Sequence, residues 1–455
     1  MSIQNEISFL ERFTRSSVVA VLILGFLVLI LQIPILMIYG VIQERTGTRN
    51  EAIREVVSRW GDHQSITGPR LVVPYQCRIE RDEKDKKPII ETRLAHFLPA
   101  NLKISAQMDS EVRYRGIFEV PIYTMTATIE GSFMQPDFNG WEIAPEDILW
   151  ERAFLSVGIS DTSGISGHAT LDWKGSPVEF EPGCGIESGG YPGIHAPLGI
   201  KANTPEATFR FNLSLKGSQG ILFATVGKET VIHLNSDWPA PSFNGAWLPK
   251  ERTFGKDGFQ AEWRSSFLGR NFPQRWSEQA NQSREPSFSD SMVGVNLITP
   301  VDEYRMTERS VKYAPLFICL TFAVLWLFEV LTGMRIHPVQ SLLIGSDLCL
   351  FYLLELALAE HLGFGTAYLL ATLAILSTVT AYCYSVLKRL RHALTVGLVL
   401  SVLYAYLFGV LQNQDYALLV GTLGLFFGLV TVMYLTRHVD WSAAGAPGRR
   451  PDSSN

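Results

Sequence analysis

Charge is scarce in this sequence. Asp, Glu, Lys and Arg make up 18% of the 455 residues, where a soluble protein usually carries about a quarter, while 47% are hydrophobic. A net charge of −5 with no Lys/Arg-rich run gives neither a general nor a local pull towards nucleic acid. Cysteine is sparse too, and five residues cannot define a disulfide framework. Cys319, Cys349 and Cys383 fall in apolar runs, where a thiol packs as a small hydrophobe. That leaves one bridge open, between Cys77 and Cys184. No G-x-x-x-x-G-K-[ST] loop, H-E-x-x-H pair or paired Cys/His spacing occurs. No cofactor and no metal is therefore expected.

The apolar residues are concentrated in two blocks. A helix needs roughly 18 or more of them to cross ~30 Å of hydrocarbon. The first block, Val18–Ile42, is too long for a signal-peptide core and no small-x-small cleavage site follows it. It reads as an uncleaved signal anchor, kinked at Pro34. Five further spans fall at 314–333, 339–359, 366–387, 393–411 and 416–435. The chain thus divides into a tail (1–17), an anchor (18–42), an intervening domain (43–312), a five-helix membrane domain (313–436) and a second tail (437–455).

Lys and Arg in short connections set orientation. Arg12, Arg15, Arg335, Lys388, Arg389, Arg391, Arg437, Arg449 and Arg450 lie in one set of tails and loops. The alternate loops, Glu360–Gly365 and Gln412–Asp415, carry none. Both termini are then cytoplasmic and residues 43–312 lie on the far side of the membrane. Arg45, Arg49, Arg54 and Arg59 run against this, but they alternate with Glu44, Glu51 and Glu55. The reading is a charged helix continuing out of the bilayer. Tyr313, Tyr416, Tyr434 and Trp441 sit near span ends, where amphipathic rings favour the headgroup zone.

Residues 43–312 alternate with period two in several places. Tyr123, Met125, Ala127, Ile129 and Phe133 interleave with polar neighbours; so do Phe209, Phe211, Leu213 and Leu215, and Phe259, Ala261, Trp263 and Phe267. Such segments are strands with one face on a core. Clusters at Gln135–Gly140 and Glu181–Gly193 read as turns. Pro136-Asp137-Phe138-Asn139-Gly140-Trp141 echoes Pro241-Ser242-Phe243-Asn244-Gly245-Ala246-Trp247, as a duplicated β unit or a recurrent turn sequence would. The fold class expected is a multi-pass α-helical membrane protein with a large β-rich domain, one β-sandwich or two in tandem.

Specific residues gather at the junction and beyond. They include Pro300-Val301-Asp302-x-Tyr304, Arg309-x-x-Lys312-Tyr313-Ala314, Arg335-Ile336-His337-Pro338-Val339-Gln340, Phe351-Tyr352-Leu353-Leu354 and Val432-Met433-Tyr434-Leu435-Thr436-Arg437. With Gly68-Pro69, Val157-Gly158-Ile159-Ser160-Asp161 and Phe243-Asn244-Gly245, they make the chain similar to the CreD family of bacterial inner-membrane proteins over nearly its whole length. Pro315, Gln414 and His438 depart from the family pattern; Pro315 suits a first helical turn. The resemblance implies an inner-membrane location and a part in envelope integrity and in a two-component response to β-lactam stress. It supplies no catalytic residues.

The chemistry of the intervening domain is thin. His63, His96, His168, His195 and His233 form no recognisable ligand spacing, and Gly164-Ile165-Ser166-Gly167-His168 ends in His where a nucleophile elbow needs Gly. The unusual residues are intramembrane acids: Asp347, Glu355 and Glu329, with Glu360 and His361 at an outer rim. Asp347 lies about eight residues, roughly 12 Å, into its span. With no Lys or Arg deep enough to neutralise these acids, Asp347 is protonated, paired or facing water. The leading expectation is a non-enzymatic envelope factor whose partners are the lipid bilayer and periplasmic or envelope proteins. The rival is a transporter or lipid-handling protein using the acids around Asp347.

Overall fold

The computed structural model describes residues 17–79, 89–185, 192–202, 206–278, 286–298, 303–332, 336–413 and 416–437. Arg12, Arg15, Asp302, Arg335, His438, Trp441, Arg449 and Arg450 lie outside these, as do Gln414 and Asp415. The chain divides into two compact units, residues 1–48 with 301–455, and residues 49–300.

Among the described residues, six helices are long and apolar enough to cross a membrane, one N-terminal and five C-terminal: α1 (Ser17–Trp60), α2 (Glu303–Thr332), α3 (Pro338–Leu362), α4 (Phe364–Leu387), α5 (Leu390–Gln412) and α6 (Ala417–Thr436). At 1.5 Å per residue the 25 residues of α3 extend about 37 Å, enough for the hydrocarbon layer. The charged stretch after the anchor is helical, since α1 continues unbroken to Trp60. Likewise α2 starts at Glu303, well ahead of its apolar span. Pro315 is therefore inside the helix rather than in its first turn, and the amide it lacks leaves the Val311 carbonyl without that helical bond. The α1 extension is the charged helix expected from the sequence, whereas hydropathy hid the early start of α2, because amphipathic and charged turns continue a helix without being apolar.

The second unit is a two-sheet β structure. One sheet runs β13 (Pro241–Gly245), β17 (Met292–Leu297), β11 (Gly220–Ala224), β1 (Gln64–Ile79), β5 (Phe154–Ile159), β9 (Gly193–Pro197) and β8 (Glu181–Pro182). The far half of β1 also pairs β2 (Ile89–Phe97), which pairs β16 (Arg275–Ser277). The other sheet runs β14 (Glu251–Gly255), β15 (Gly258–Ser266), β12 (Glu229–Ser236), β3 (Asn101–Arg115), β4 (Phe118–Phe133), β10 (Ala207–Ser218), β6 (Thr170–Trp173) and β7 (Ser176–Glu179). Each sheet is antiparallel except for one parallel pair, β1 with β11 and β12 with β3.

The inner faces of the two sheets share one core. Ile66, Leu71, Val73, Leu155, Val157 and Phe223 of the first sheet join Ile104, Met125, Ile129, Phe211, Leu213 and Trp263 of the second in a single buried cluster. Burying each large apolar side chain contributes roughly 1.5–3 kcal/mol, so the period-two pattern fixes which face turns inward. All three alternating segments are strands, β4, β10 and β15. Phe267 departs: it leaves the alternation in a 3-10 turn and is only partly buried. The two echoed segments differ locally. Residues 135–140 are irregular with a turn, whereas Pro241–Gly245 is an edge strand on β17. The segment expected as a turn at Glu181–Gly193 begins with β8 and ends at the start of β9.

The charged end of α1 packs within this unit. Val57, with Ile53, Val56 and Trp60 beside it, covers Val120 and Ile122 on the outer side of β4. The Trp60 indole donates to the Tyr123 carbonyl at 3.2 Å, and Arg115 meets Glu55 through two bonds of 2.9 Å.

Candidate functional site

Helix α3 carries three carboxyls, and its start is well defined. His337 is the N-cap: its Nδ1 accepts from the Val339 amide, while Gln340 Oε1 accepts from the His337 amide at 2.9 Å. Pro338 occupies the first helical position, where its missing N–H is no loss. Imidazole does here what Ser or Asp commonly does. Asp347, Glu355 and Glu360 then follow along the helix.

Glu355 is fully buried at 0% exposure. Ser310 of α2 donates its hydroxyl to Glu355 Oε2 at 2.8 Å. The other oxygen, Oε1, is buried with no hydrogen-bond partner among the described residues. Aromatic groups close the site: Phe351 lies 5.0 Å from Tyr352, 5.3 Å from Tyr368 and 4.7 Å from Tyr404 between ring centres. Tyr368 of α4 donates to the Tyr404 carbonyl of α5 at 2.7 Å, tying those helices together. Glu355 and Asp347 are both within electrostatic reach of Tyr404.

Five residues on, Glu360 is held differently. Arg45 of α1 donates through Nε and Nη2 to its two oxygens, each at 2.6 Å, and Tyr304 of α2 donates its hydroxyl at 2.8 Å. A planar guanidinium matches a carboxylate in this two-point geometry. The expectation that no Arg or Lys reaches these acids fails for Glu360. It misses Arg45 because the partners are 315 residues apart in sequence and because Arg45 reads as part of a charged helix leaving the bilayer. Six residues before Arg45 on α1, Tyr39 donates to Glu308 of α2 at 3.3 Å, and Glu308 also pairs with Lys312 at 2.8 Å.

Asp347 is half-buried, and its Oδ2 is buried without a hydrogen-bond partner among the described residues. Ser346, beside it, bonds back to the Leu342 carbonyl of its own helix at 2.9 Å. Glu329 is half-buried near the end of α2. Of the three acids singled out from the sequence, Glu355 is therefore the one enclosed by several helices. The converging groups that sequence reasoning missed are Ser310, Tyr304, Arg45, Tyr368 and Tyr404. Tyr304 stood out only within the family resemblance, and nothing but their position in apolar runs hinted at Tyr368 and Tyr404.

In the β unit the polar candidates do structural work. Asp161 caps a 3-10 turn, accepting from the Ser163 amide at 3.0 Å and hydroxyl at 2.6 Å and from the Asp62 amide at 3.0 Å. Burial pushes its carboxyl up, but these hydrogen bonds outweigh that and hold it below the usual range. Ser166 donates its amide to Ser214, and His168 is exposed. His195 faces the Gly183 carbonyl at 2.8 Å through Nδ1. Asp302 lies outside the described residues. Cys77 is half-buried and Cys184 buried; both are free thiols, so the bridge left open is not formed. Burial raises the Cys184 thiol, and an inert buried thiol results. Arg270, lowered to about 10 by burial, donates to the carbonyls of Thr225, Val226 and Gly227.

A profile of the family described as "Inner membrane protein CreD" matches residues 16–442. The Inner membrane protein CreD of Escherichia coli (strain K12) is 34% identical over 432 residues, which cover 92% of each chain. The chain belongs to the CreD family. It is an inner-membrane protein embedded in the lipid bilayer, with several transmembrane helices and a β-rich domain.

Several of the sequence features that carry the CreD resemblance now have physical roles. His337-Pro338-Val339-Gln340 is the cap of α3. Tyr304 bonds Glu360, and Lys312 pairs with Glu308. Asp161 closes the turn after β5. Gly424 of α6 lies against the Tyr406 ring, whose hydroxyl donates to the Val420 carbonyl at 2.6 Å; a β-carbon at Gly424 would fall only 2.1 Å from that hydroxyl.

Proposed function

We propose that this chain is a non-enzymatic envelope-integrity and stress-response factor whose β domain, on the periplasmic side, contacts other envelope proteins. The observation carrying this reading is an open sheet edge. Strand β14 is exposed at all five residues and pairs only with β15 among the described strands. A free edge presents unpaired main-chain donors and acceptors, which an extended peptide meets by adding a strand. The Lys/Arg bias of the short loops supports the orientation, with both termini cytoplasmic.

The direct test alters the edge. Successive amides of a strand point to opposite sides, so one of Arg252→Pro and Thr253→Pro removes an outward donor without touching the β15 ladder. At matched protein levels, one of the two is expected to lose envelope function. Full activity in both, with the hairpin intact, would remove the edge from consideration. A scan of Asp161, Ser166, His168, His195 and Asp302 to alanine is expected to give mild effects only. A single folded, inserted but inactive variant there would expose an active site. Orientation is read from cysteine probes in intact cells: Gln282 and Asn413 react with an impermeant thiol reagent, His392 and Ser453 do not.

One observation favours a second reading, a transport or lipid-handling role. Ser310, Glu355, Tyr368 and Tyr404 bring polar groups from four helices to one place inside the membrane unit. Intramembrane carboxyls of this kind commonly mark ion or proton pathways.

A further inference from the structure

The acids of the membrane helices are held in unlike ways. Glu360 has a guanidinium and a phenol hydroxyl, whereas Glu355 has one serine hydroxyl and an enclosed second oxygen. The groups facing Glu355 can be named helix by helix. Helix α2 offers Ser310, α3 itself offers Tyr352, α4 offers Tyr368 and α5 offers Tyr404. None of these is a cation. The nearby basic residues are engaged elsewhere or do not reach: Arg45 is bound to Glu360 and Lys312 to Glu308. Arg309 follows Glu308 in the chain, yet its Nη1 is buried without a hydrogen-bond partner, as is Glu355 Oε1. No hydrogen bond or ion pair joins the two among the described residues, and Ser310 is the side chain that acts on the Glu355 carboxyl.

A bare carboxylate enclosed at membrane depth is costly and needs a cation, water or a proton. Hard metal cations take six or more oxygen ligands, and only one hydroxyl touches this carboxyl among the described residues. A proton needs no coordination shell. It also turns the unpartnered oxygen into a hydroxyl, while Ser310 continues to donate to the other oxygen.

We infer that Glu355 is a proton-binding site of the membrane unit, occupied through its Oε1 and braced by Ser310. Binding and release involve one O–H bond and one proton exchanged with water, with no electron transfer. The inference deepens the second reading above by naming the proton as the bound species, and it rests on that reading only for what the proton does.

The test is infrared spectroscopy of the full-length protein in liposomes of phosphatidylethanolamine and phosphatidylglycerol. At neutral pH the wild-type minus Glu355→Gln spectrum is expected to show one carboxylic-acid carbonyl band. That band should shift in heavy water, and move to higher wavenumber in Ser310→Ala, where the carbonyl loses its donor. If the difference spectrum shows a carboxylate pair of bands at neutral pH, the inference is wrong. It is equally wrong if added sodium or potassium abolishes the carboxylic band, which would make this a metal-cation site. If Glu355→Gln does not insert, the Ser310→Ala shift decides, and an unmoved carboxylic region overturns the proposal. Proton flux is measured on the same liposomes. A band without flux refutes the transport reading and leaves the proton site standing.

Discussion

Arg45 and Glu360 meet through two parallel hydrogen bonds of 2.6 Å, although one belongs to the first helix and the other to the third. Tyr304 adds a third helix to the same carboxylate. The triad therefore ties α1, α2 and α3 at one level. The Glu360 side chain is 10% exposed and the Arg45 side chain 38%, so the pair is neither buried nor fully solvated.

The first prediction follows from that intermediate setting. Truncating one partner of a buried pair costs about 3–5 kcal/mol, and an exposed pair about 1 kcal/mol or less. Arg45→Met or Glu360→Gln should each lower stability by about 1–3 kcal/mol, the range for leaving a buried hydrogen-bonding partner unsatisfied. The double variant should cost less than the sum of the two. Thermal unfolding in detergent gives the cycle. Strictly additive losses would mean that the two side chains do not act on each other.

Much of this architecture was legible in advance because it rests on local pattern. Apolar length marked the six helices, and alternation marked β4, β10 and β15. The triad was not legible, since Arg45 and Glu360 are distant in sequence and each looks like an ordinary rim charge. Nor was the enclosure of Glu355. Helical periodicity places it on α3 but cannot say that Ser310 of another helix faces it. Asp347, nearer the middle of its span, looked the more costly acid from sequence; enclosure depends on neighbouring helices, and these favour Glu355.

A second prediction concerns acid sensitivity of the β domain. His96 on β2 is 2% exposed, its ring is stacked 4.9 Å from Trp276, and its Nε2 is 3.6 Å from Glu278. Burial lowers its pKa; Glu278 opposes this in part, and nearby Arg70 adds to it. The folded state then resists protonation more than the unfolded chain, whose histidine titrates near about 6.5. Stability from this group is present above that pH and lost as pH falls below it. Glu278, held low chiefly by the hydrogen bond with His96 and against burial, adds a loss in the same direction at lower pH. Hydrogen-exchange protection of β2, corrected for intrinsic rates, should fall between neutral pH and mild acid. In His96→Leu the histidine part of that slope should vanish. An unchanged slope would assign the acid sensitivity to other groups.

The third prediction sets two effects of opposite sign against each other. A strand glycine is worth about 0.5–1 kcal/mol less than alanine on conformational grounds alone. At Gly131 of β4, however, a β-carbon would lie 2.1 Å from the Asn101 carbonyl oxygen and 2.8 Å from the Phe209 ring. The carbonyl belongs to backbone at the start of β3, so it cannot move cheaply. Overpacking of this kind costs about 1–3 kcal/mol, and it should win. Gly131→Ala is expected to lower Tm, whereas Gly255→Ala on the open edge strand, with nothing within 4 Å, keeps only the conformational gain and should raise it slightly. Equal behaviour of the two variants would contradict the close approach at Gly131.

The last prediction separates Asp347 from Glu355. Asp347 is half-buried and has one buried oxygen without a hydrogen-bond partner among the described residues, but it is not enclosed as Glu355 is. An asparagine there has nearly the same shape, keeps an acceptor and carries no charge. If Asp347 is a structural carboxyl, Asp347→Asn removes only the cost of placing an acid at membrane depth, which insertion scales put at a few kcal/mol for a charged form. Membrane levels should then be unchanged or higher, and the envelope phenotype should be that of wild type. Asp347→Lys is the contrasting variant. It places a permanent positive charge beside the apolar face of α3, and should reduce insertion. The two readouts are quantitative immunoblotting of membranes and survival under envelope stress at matched levels. Normal levels of Asp347→Asn with lost function would assign Asp347 a titrating role, and would extend the functional carboxyls of α3 from one position to two.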